Sequence, residues 1–397
     1  MTSWPPRARD LTLAWLACLL PRVIIAIARH GQIELDTSST AIVDGVFTSD
    51  LHTPMWPPFY QVFAESAWRL SGGWVPAFVA LHLAAHALVG AAVLLLAARV
   101  GLSRRTGWIA VVGCALLPYL LGASVRHLDV GVCVSIAALA AAAIARGTPA
   151  AGWWAGAWFL ARPESLLAIA GLAVWRWLTT DVAGRRHVIR GAAVFALVVL
   201  GWSTANAVRF GRFTPLPSNA GANFAIGYRP GIAERLADRS FNPPLDPVID
   251  DSSPDIGGSL YDIDAAAAAL AWRRIRADPA GALALVPLKF ARYWDWTLGG
   301  NVPHSQAEQW AYTIPYLVLL VLGSLGVVRL WRDGHRSALA FLLIVMAGYM
   351  LPHLAVFGLI RMRMSVEWAL ILVGAAAMGE LRWSSPHAVG SATRLAR

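Results

Sequence analysis

The sequence predicts an all-α, polytopic membrane protein of about ten transmembrane helices, with outer loops that carry interfacial helices. Hydrophobic residues make up 57% of the 397 residues and charged residues only 14%, whereas soluble domains carry about 25% charge. Mean hydropathy is +0.55. Apolar runs that approach the roughly 20 residues of a bilayer crossing recur along the chain. An ordinary soluble domain is therefore excluded.

The apolar runs divide the chain into three parts. Candidate spans cover residues 11–28, 75–98, 108–123, 128–145, 150–161, 164–178, 191–208, 312–330, 338–357 and 364–381. We expect an N-terminal transmembrane module (1–208), a loop with interfacial helices (209–311), and a C-terminal module with a tail (312–397). The three cysteines, Cys18, Cys114 and Cys133, lie in apolar runs without metal-ligand spacing, so we expect small core side chains.

The distribution of charge predicts the orientation of the chain. Lys and Arg are retained in short cytoplasmic loops, and alternate connections hold basic pairs such as Arg104 with Arg105. With those loops inside, the acids on the cytoplasmic side are Asp10, Asp181, Asp333 and Glu380. The other acids fall on the outer face, where we expect the chemistry. We therefore predict a cytoplasmic (inner) membrane protein with an extracytoplasmic site and no nucleic-acid partner.

Two outer segments are large. The first, residues 29–74, contains aromatic residues that predict an interfacial helix, and it holds four acids just beyond the first span. Those acids are Glu34, Asp36, Asp44 and Asp50. In the second, residues 209–311, apolar spacing predicts a helix over 264–296 that is broken near Pro279. The acids of the first segment mark either a solvated loop or the mouth of a site.

Ionisable residues stand at the outer ends of otherwise apolar helices. They are Arg126, His127 and Asp129, then Arg162 and Glu164, then Arg361, Arg363 and Glu367. A charge at membrane depth costs a few kcal/mol unless it faces a partner or a water-filled cavity. We predict one hydrated, outward-facing cavity ringed by Arg and carboxylates. The alternative is that each Arg reaches the interface or pairs locally, as Arg162 could with Glu164.

Arginines beside carboxylates at an outer membrane surface suit a reaction in which a phosphate leaves and a hydroxyl loses its proton. Arg binds phosphate oxygens in bidentate fashion and keeps its charge when partly desolvated. A carboxylate within hydrogen-bond reach of an acceptor hydroxyl can act as general base. Because soluble nucleotide donors are absent outside a bacterial cytoplasmic membrane, we expect the phosphate to be carried on a lipid.

Four short motifs occur in order along the chain. They are Glu34-Leu-Asp36 with Pro54-Met-Trp-Pro-Pro-Phe-Tyr60; Ala161-Arg-Pro-Glu-Ser165; Pro217-Ser-Asn-Ala-Gly-Ala-Asn-Phe-Ala-Ile-Gly227 with Ala271-Trp-Arg-Arg-Ile-Arg-Ala-Asp-Pro279; and Arg361-Met-Arg363 before Val366-Glu-Trp. In these motifs the chain resembles the GT-C superfamily of lipid-linked-sugar glycosyltransferases, which includes protein O-mannosyltransferases and the aminoarabinose transferase acting on lipid A.

The resemblance implies a GT-C-like fold and a polyprenyl-phosphate-linked sugar as donor. It implies that Asp36 is the catalytic acid of the first loop, that Asp129 is a second acid, and that Arg361 or Arg363 contacts the donor phosphate. Many members carry Asp-Glu where this chain has Glu-Leu-Asp. This difference leaves open whether Glu34 or Asp36 is the base.

We therefore expect a glycosyltransferase that transfers a sugar to a hydroxyl of a lipid, glycan or protein among the membrane lipids. The catalytic candidates are Asp36, Glu34 and Asp129, and the candidates for donor phosphate binding are Arg361, Arg363 and Arg162. The candidates for substrate binding are Glu164, Arg126, His127, His52 and Asn219. No organic cofactor is implied, and a divalent metal held by Glu34 and Asp129 is an open alternative.

Three other functions remain as alternatives. A transporter or flippase for a lipid-linked or anionic substrate would need ionisable residues near the bilayer midplane, whereas this sequence places most of them at one face. A non-catalytic assembly or binding protein would keep its function in Asp36→Asn. A ligase that transfers a whole glycan from a polyprenyl diphosphate differs only in its donor.

Overall fold

The computed structural model describes residues 4–29, 57–126, 128–237, 259–297 and 305–379, apart from the side chain of Arg126. Within these ranges the regular structure is helical and contains no strand. The helices are α1 (Ala8–Ala28), α2 (Pro58–Leu70), α3 (Val75–Arg99), α4 (Arg104–Leu116), α5 (Pro118–Arg126), α6 (Leu128–Arg146), α7 (Ala151–Ala161), α8 (Leu166–Leu178), α9 (Val182–Phe210), α10 (Ala220–Ile226), α11 (Ile232–Ala237), α12 (Leu260–Ala277), α13 (Pro279–Tyr293), α14 (Gln306–Arg332), α15 (Arg336–Ala355), α16 (Ile360–Met364) and α17 (Glu367–Gly379).

Six of the described helices are long and apolar enough to cross a bilayer: α1, α3, α6, α9, α14 and α15. A seventh crossing results if α4 and α5, which are bent by 48° relative to each other, form one broken span. Since a bilayer is crossed by roughly 20 apolar residues with internally paired backbones, these helices identify a multi-pass membrane protein. The expectation of an all-α membrane fold is confirmed at this level.

The described helices do not provide the ten full-length spans expected from the apolar runs. Runs 150–161 and 164–178 form α7 and α8, which have 11 and 13 residues and so rise only about 16 and 20 Å. The last run forms α17, also of 13 residues. Each is shorter than the hydrocarbon core of about 30 Å. Pro163 explains the break between α7 and α8, because the residue before a proline is held extended, and Arg162 has φ −151° and ψ 91°.

Short polar side chains fix several helix starts. The Ser103 hydroxyl accepts a hydrogen bond from the backbone N–H of Thr106 at 3.1 Å, and the Asp181 carboxylate accepts one from Gly184 at 2.8 Å. Such caps satisfy backbone donors that have no partner inside the helix. They therefore set where α4 and α9 begin and which residues fall in the connections.

The bundle is packed through small residues. Helix α3 packs against α1, α4 and α6, while α17 packs against α4 and α14 and α8 packs against α15. Without a hydrophobic force between helices in lipid, close approach through small residues supplies much of the packing energy. At Gly326 in α14, a Cβ atom would lie 2.0 Å from the carbonyl oxygen of Val373 in α17. Only a glycine allows this crossing.

Gly326→Ala is therefore expected to separate α14 from α17 and to lower the free energy of unfolding by about 1–3 kcal/mol, as overpacking does in other cores. Gly201→Ala in α9 is the matched control, since a Cβ there meets nothing within 4 Å. The control should be neutral or slightly stabilising because alanine favours helix. Thermal unfolding in detergent compares the two variants. Equal midpoints would show that the crossing of α14 and α17 tolerates a Cβ atom at residue 326.

The second large segment, residues 209–311, forms helices α10 to α13 within its described residues. As predicted, its second half is helical and breaks at the Asp278–Pro279 step, because Asp278 caps α13 by accepting from Gly281 at 2.8 Å and Pro279 takes the first helical position. Helix α13 packs against α15, and α10 packs against α12. A helix is present in the first large segment, residues 29–74, as α2. Its interfacial position stays a prediction.

Candidate functional site

Arg162 is the centre of a charged network at one end of the bundle. Its Nη2 donates to Asp129 Oδ2 at 2.8 Å, and its Nη1 lies 4.0 Å from Glu164 Oε1. Asp129 stands in the first turn of α6, where the helix dipole favours a negative charge. The side chains of Arg162, Asp129 and Glu164 are 17%, 29% and 20% exposed. Three charges from the adjoining ends of α6, α7 and α8 thus meet at partly accessible positions.

Helix α15 extends this network through two aromatic residues. Tyr349 donates its hydroxyl to Glu164 Oε1 at 3.3 Å, and His353 Nε2 lies 3.9 Å from the same oxygen. The Tyr349 ring also stacks on Trp158 of α7, with the centroids 6.3 Å apart. Glu164 is therefore held between Arg162 and the last turns of α15.

A second network lies at the start of α17. Arg363 Nε donates to Glu367 Oε1 at 3.1 Å, and Arg363 Nη1 donates to the backbone oxygens of Tyr293 and Asp295 at 2.7 and 3.2 Å. The guanidinium carbon stands 4.0 Å from the centroid of the Tyr316 ring, a distance at which a cation is attracted to the ring face. Arg363 therefore ties the end of α13 to α14 and α17.

Tyr293 joins the two networks, since its ring stacks on His353 with the centroids 5.8 Å apart and its carbonyl accepts from Arg363. We call the combined set the charged cluster. Its members are Asp129, Arg162, Glu164, Tyr293, Tyr349, His353, Arg363 and Glu367. They come from helix ends that are far apart in the sequence and lie on the same side of the bundle.

The expectation that both sets of charges line a hydrated cavity is wrong for two residues. Arg363 and Glu367 are each only 1% exposed. They stand four residues apart across the turn between α16 and α17, and their ion pair lets the two charges neutralise each other. The side chains of the cluster that remain partly accessible are those of Asp129, Arg162 and Glu164.

The other candidate residues are distributed as follows. Arg361 is exposed on the short helix α16, and Asn219 is half-buried at the start of α10. Arg126 ends α5. Glu34, Asp36, His52 and His127, as well as the side chain of Arg126, lie outside the described residues. The structure therefore brings together Asp129, Arg162 and Glu164, and it places Arg363 beside Glu367.

The sequence analysis did not select Tyr293, Tyr349 or His353 for the site. It also did not select two neighbouring residues beside Asp129. That pair is His82 and Tyr60: the Tyr60 hydroxyl and His82 Nε2 are 3.2 Å apart, and Asp129 is close enough to act electrostatically on His82. The available signal was the spacing of Tyr349 and His353, which stand one helical turn apart shortly before the end of a span.

Several buried polar atoms of the cluster make no hydrogen bond to any described residue. They are Tyr293 Oη, His353 Nε2, Arg363 Nη2 and Glu367 Oε2. Most buried polar groups in proteins are paired, so their concentration here favours the binding of a polar molecule or ordered water. Across the described residues, no three His, Cys, Asp or Glu side chains converge to hold a metal ion.

Lys289 holds α13 against the end of α15 beside the cluster. Its side chain is fully buried, its Nζ donates to the Ala355 carbonyl at 3.3 Å, and the ammonium stands 3.8 Å from the centroid of the Tyr228 ring. Burial penalises the charged form and lowers the pKa of Lys289 from 10.5 to about 8. Lys289 belongs to α13, outside the helices assigned as spans.

The low pKa of Lys289 predicts a pH dependence of stability. Between pH 8 and 10.5 the unfolded chain binds a proton that the folded chain has released, so the free energy of unfolding rises with pH in this window. The gain is at most about 3 kcal/mol, and it is complete above the unfolded pKa. Lys289→Met should lack this rise. Chemical unfolding from pH 7.5 to 10.5 tests it, and the same slope in both proteins would contradict it.

Comparison of the chain with protein-family models, with curated proteins and with solved structures gives no match. The fold and site therefore define the protein as an all-α, multi-pass membrane protein with a charged cluster at one end of its bundle. Its activity has to be inferred from that cluster and from the motifs of the sequence.

Proposed function

We propose that the chain is a membrane glycosyltransferase that moves a sugar from a polyprenyl-phosphate carrier to a hydroxyl of a lipid, glycan or protein. The reaction would take place on the outer face of the cytoplasmic membrane, the face on which we expect the charged cluster to lie. The proposal is supported by the order of the four motifs along the chain and by the surroundings of Arg162.

The observation that carries the proposal is the meeting of Asp129, Arg162 and Glu164 at the adjoining ends of α6, α7 and α8. Arg162 donates to Asp129, yet its Nε atom makes no hydrogen bond to the described residues. A guanidinium fixed by carboxylates keeps a fork geometry that suits phosphate oxygens. The pairing with Asp129 and Glu164 also offsets part of the cost of placing its charge there.

The structure favours Arg361 over Arg363 as the contact to the donor phosphate. Arg363 is buried and already bonds to Glu367 and to two backbone oxygens. Arg361 is exposed two residues earlier on the same short helix. We therefore assign Arg363 a positioning role and Arg361, with Arg162, the binding of the phosphate.

In the proposed reaction, the carboxylate of Asp36, or of Glu34, takes the proton of the acceptor hydroxyl. The acceptor oxygen forms a bond to the anomeric carbon of the sugar, while the bond from that carbon to the phosphate oxygen breaks. The electron pair leaves with the polyprenyl phosphate. Arg361 and Arg162 stabilise the charge that develops on the leaving phosphate, and such electrostatic terms are commonly the largest part of catalysis.

A binding experiment tests the lipid-phosphate assignment without requiring turnover. Purified protein in nanodiscs is titrated with polyprenyl phosphate, and Arg361→Ala is compared with Arg235→Ala, which removes an exposed arginine of the segment 209–311. Loss of a charge-assisted contact of about 1.5–3 kcal/mol should weaken binding at least tenfold in Arg361→Ala. Equal affinity in the two variants would contradict the assignment of Arg361 to phosphate binding. If the wild type does not bind polyprenyl phosphate, the proposed donor is wrong.

One observation favours a transporter or flippase as a second candidate. Arg22 is fully buried in α1, where Nη1 donates to the Cys18 carbonyl at 2.7 Å and Nη2 lies 3.1 and 3.2 Å from the Cys114 carbonyl and His86 Nε2. A charged residue within a span often marks a transport pathway. Uptake by sealed vesicles that is lost in Arg22→Gln would favour this candidate over the transferase.

A further inference from the structure

We propose that the end of the bundle opposite the charged cluster binds one anionic phospholipid. Its acyl chain would lie in a groove between α6, α7, α8 and α9, and its phosphate would be bound by Arg176 and His187. The headgroup end of this site is separate from the proposed transferase site, because Arg176 is in the last turn of α8 whereas Glu164 lies just before the first turn. The groove itself extends along α8 as far as Leu166. The inference does not depend on the identity of the reaction at the charged cluster.

The groove has the shape and chemistry for a hydrocarbon chain. It has a volume of about 210 Å³, and its walls are small or apolar side chains that include Ala155, Ile169, Ala170, Ala192 and Phe195. This volume is below the roughly 300–1,000 Å³ of a pocket that encloses a drug-sized ligand. A slim chain would fit such a groove, and the apolar walls offer a polar ligand no hydrogen-bond partner along its length.

Arg176 supplies a cation at one end of this groove. Its guanidinium packs against Gly147, where a Cβ atom would lie 2.4 Å from Nη2, so the absence of a side chain there makes room for it. Its Nε atom is buried and makes no hydrogen bond to the described residues, while the residue as a whole is half-buried. The positive charge of Arg176 is therefore available to an anion that enters from the membrane.

The surroundings strengthen the preference for an anion. The same end of the bundle carries four exposed basic residues: Arg146, Arg185, Arg186 and Arg190. The acid in that connection, Asp181, accepts a hydrogen bond from the backbone N–H of Gly184 as the cap of α9. His187 lines the groove together with Arg176. Basic pockets between transmembrane helices recognise anionic lipid headgroups, and an apolar groove that ends at such a pocket matches a phospholipid better than a free phosphate.

The test measures which lipid remains bound after extraction. Protein reconstituted in nanodiscs of equal phosphatidylglycerol and phosphatidylcholine is extracted in mild detergent, and the bound lipids are quantified by mass spectrometry. The wild type should retain phosphatidylglycerol over phosphatidylcholine. Arg176→Gln should reduce that ratio at least fivefold, whereas Arg105→Gln, which removes an exposed arginine outside the groove, should leave it unchanged.

Two further variants separate chain binding from folding defects. Ala170→Phe fills the groove and should reduce retention of phosphatidylglycerol, whereas Val174→Phe, on the same helix but outside the groove, should not. Arg176→Lys keeps the charge and should retain part of the preference even if Arg176→Gln folds poorly. Equal retention of both lipids by the wild type, or an unchanged ratio in Arg176→Gln, would overturn the proposal. If Ala170→Phe instead disrupts a dimer of the chain and leaves lipid retention unchanged, the groove binds a second copy of the chain and the lipid proposal is wrong.

Discussion

Glu367→Gln is expected to destabilise the folded chain by about 3–5 kcal/mol, which is the usual cost of removing one partner from a buried ion pair. Glu367 and Arg363 are both 1% exposed, so the guanidinium would remain buried without its counter-charge. The loss should also loosen the end of α13, because Arg363 Nη1 holds the backbone oxygens of Tyr293 and Asp295. Unfolding in mixed micelles titrated with a denaturing detergent measures the change.

The matched control is a partly exposed pair at the end of α14, Arg329 with Asp333, whose Nε and Oδ2 atoms are 3.3 Å apart and whose side chains are 24% and 41% exposed. Both pairs have i,i+4 spacing and differ mainly in burial, so Asp333→Asn should cost no more than about 1 kcal/mol. A comparable loss of stability in the two variants would show that the Arg363–Glu367 pair is no more important to stability than the partly exposed pair.

Arg162→Gln is expected to reduce turnover by about 100- to 1,000-fold, the range found when one stabilising donor is removed from a developing negative charge. Gln retains hydrogen-bonding capacity but carries no charge, so it can neither neutralise Asp129 and Glu164 nor stabilise a leaving phosphate. Arg162→Lys should restore only part of the rate, since an ammonium lacks the planar fork. The measurement is kcat with saturating donor, accompanied by a melting curve for each variant.

Arg146→Gln provides the control for Arg162, because Arg146 is exposed at the opposite end of α6 from Asp129. Its turnover should equal that of the wild type. If Arg162→Gln loses stability but keeps its kcat in the molecules that remain folded, then Arg162 is structural and the phosphate role falls to Arg361 alone.

Parts of the fold could be predicted because local chemistry decides them. Pro163 ends α7, and Asp278 with Pro279 separates α12 from α13, wherever these segments lie in the protein. Burial of Cys18, Cys114 and Cys133 follows from their apolar surroundings, and the structure confirms it. The number of full-length spans could not be predicted as well, because an apolar run does not reveal that α7 and α8 are each too short to cross.

The composition of the charged cluster depends on tertiary packing. Charges at helix ends indicated a common outer location for Asp129 and Arg162, whose direct contact joins residues 33 positions apart. The inclusion of Tyr293 and His353 depends on how α13 packs against α15, and no motif in either helix encodes that contact. The burial of Arg363 likewise follows from its pairing with Glu367 and its contacts with α13 and α14.

The central claim is that the chain turns over a polyprenyl-phosphate sugar. The most direct measurement is sugar release from a panel of synthetic polyprenyl-phosphate sugars by purified protein in nanodiscs, comparing the wild type with Asp36→Asn, Glu34→Gln and the control Asp50→Asn from the same outer segment. We predict turnover of at least one donor by the wild type and by Asp50→Asn, and a loss of orders of magnitude in Asp36→Asn or Glu34→Gln. Absence of turnover across the panel by a wild type that also binds no polyprenyl phosphate would contradict the claim.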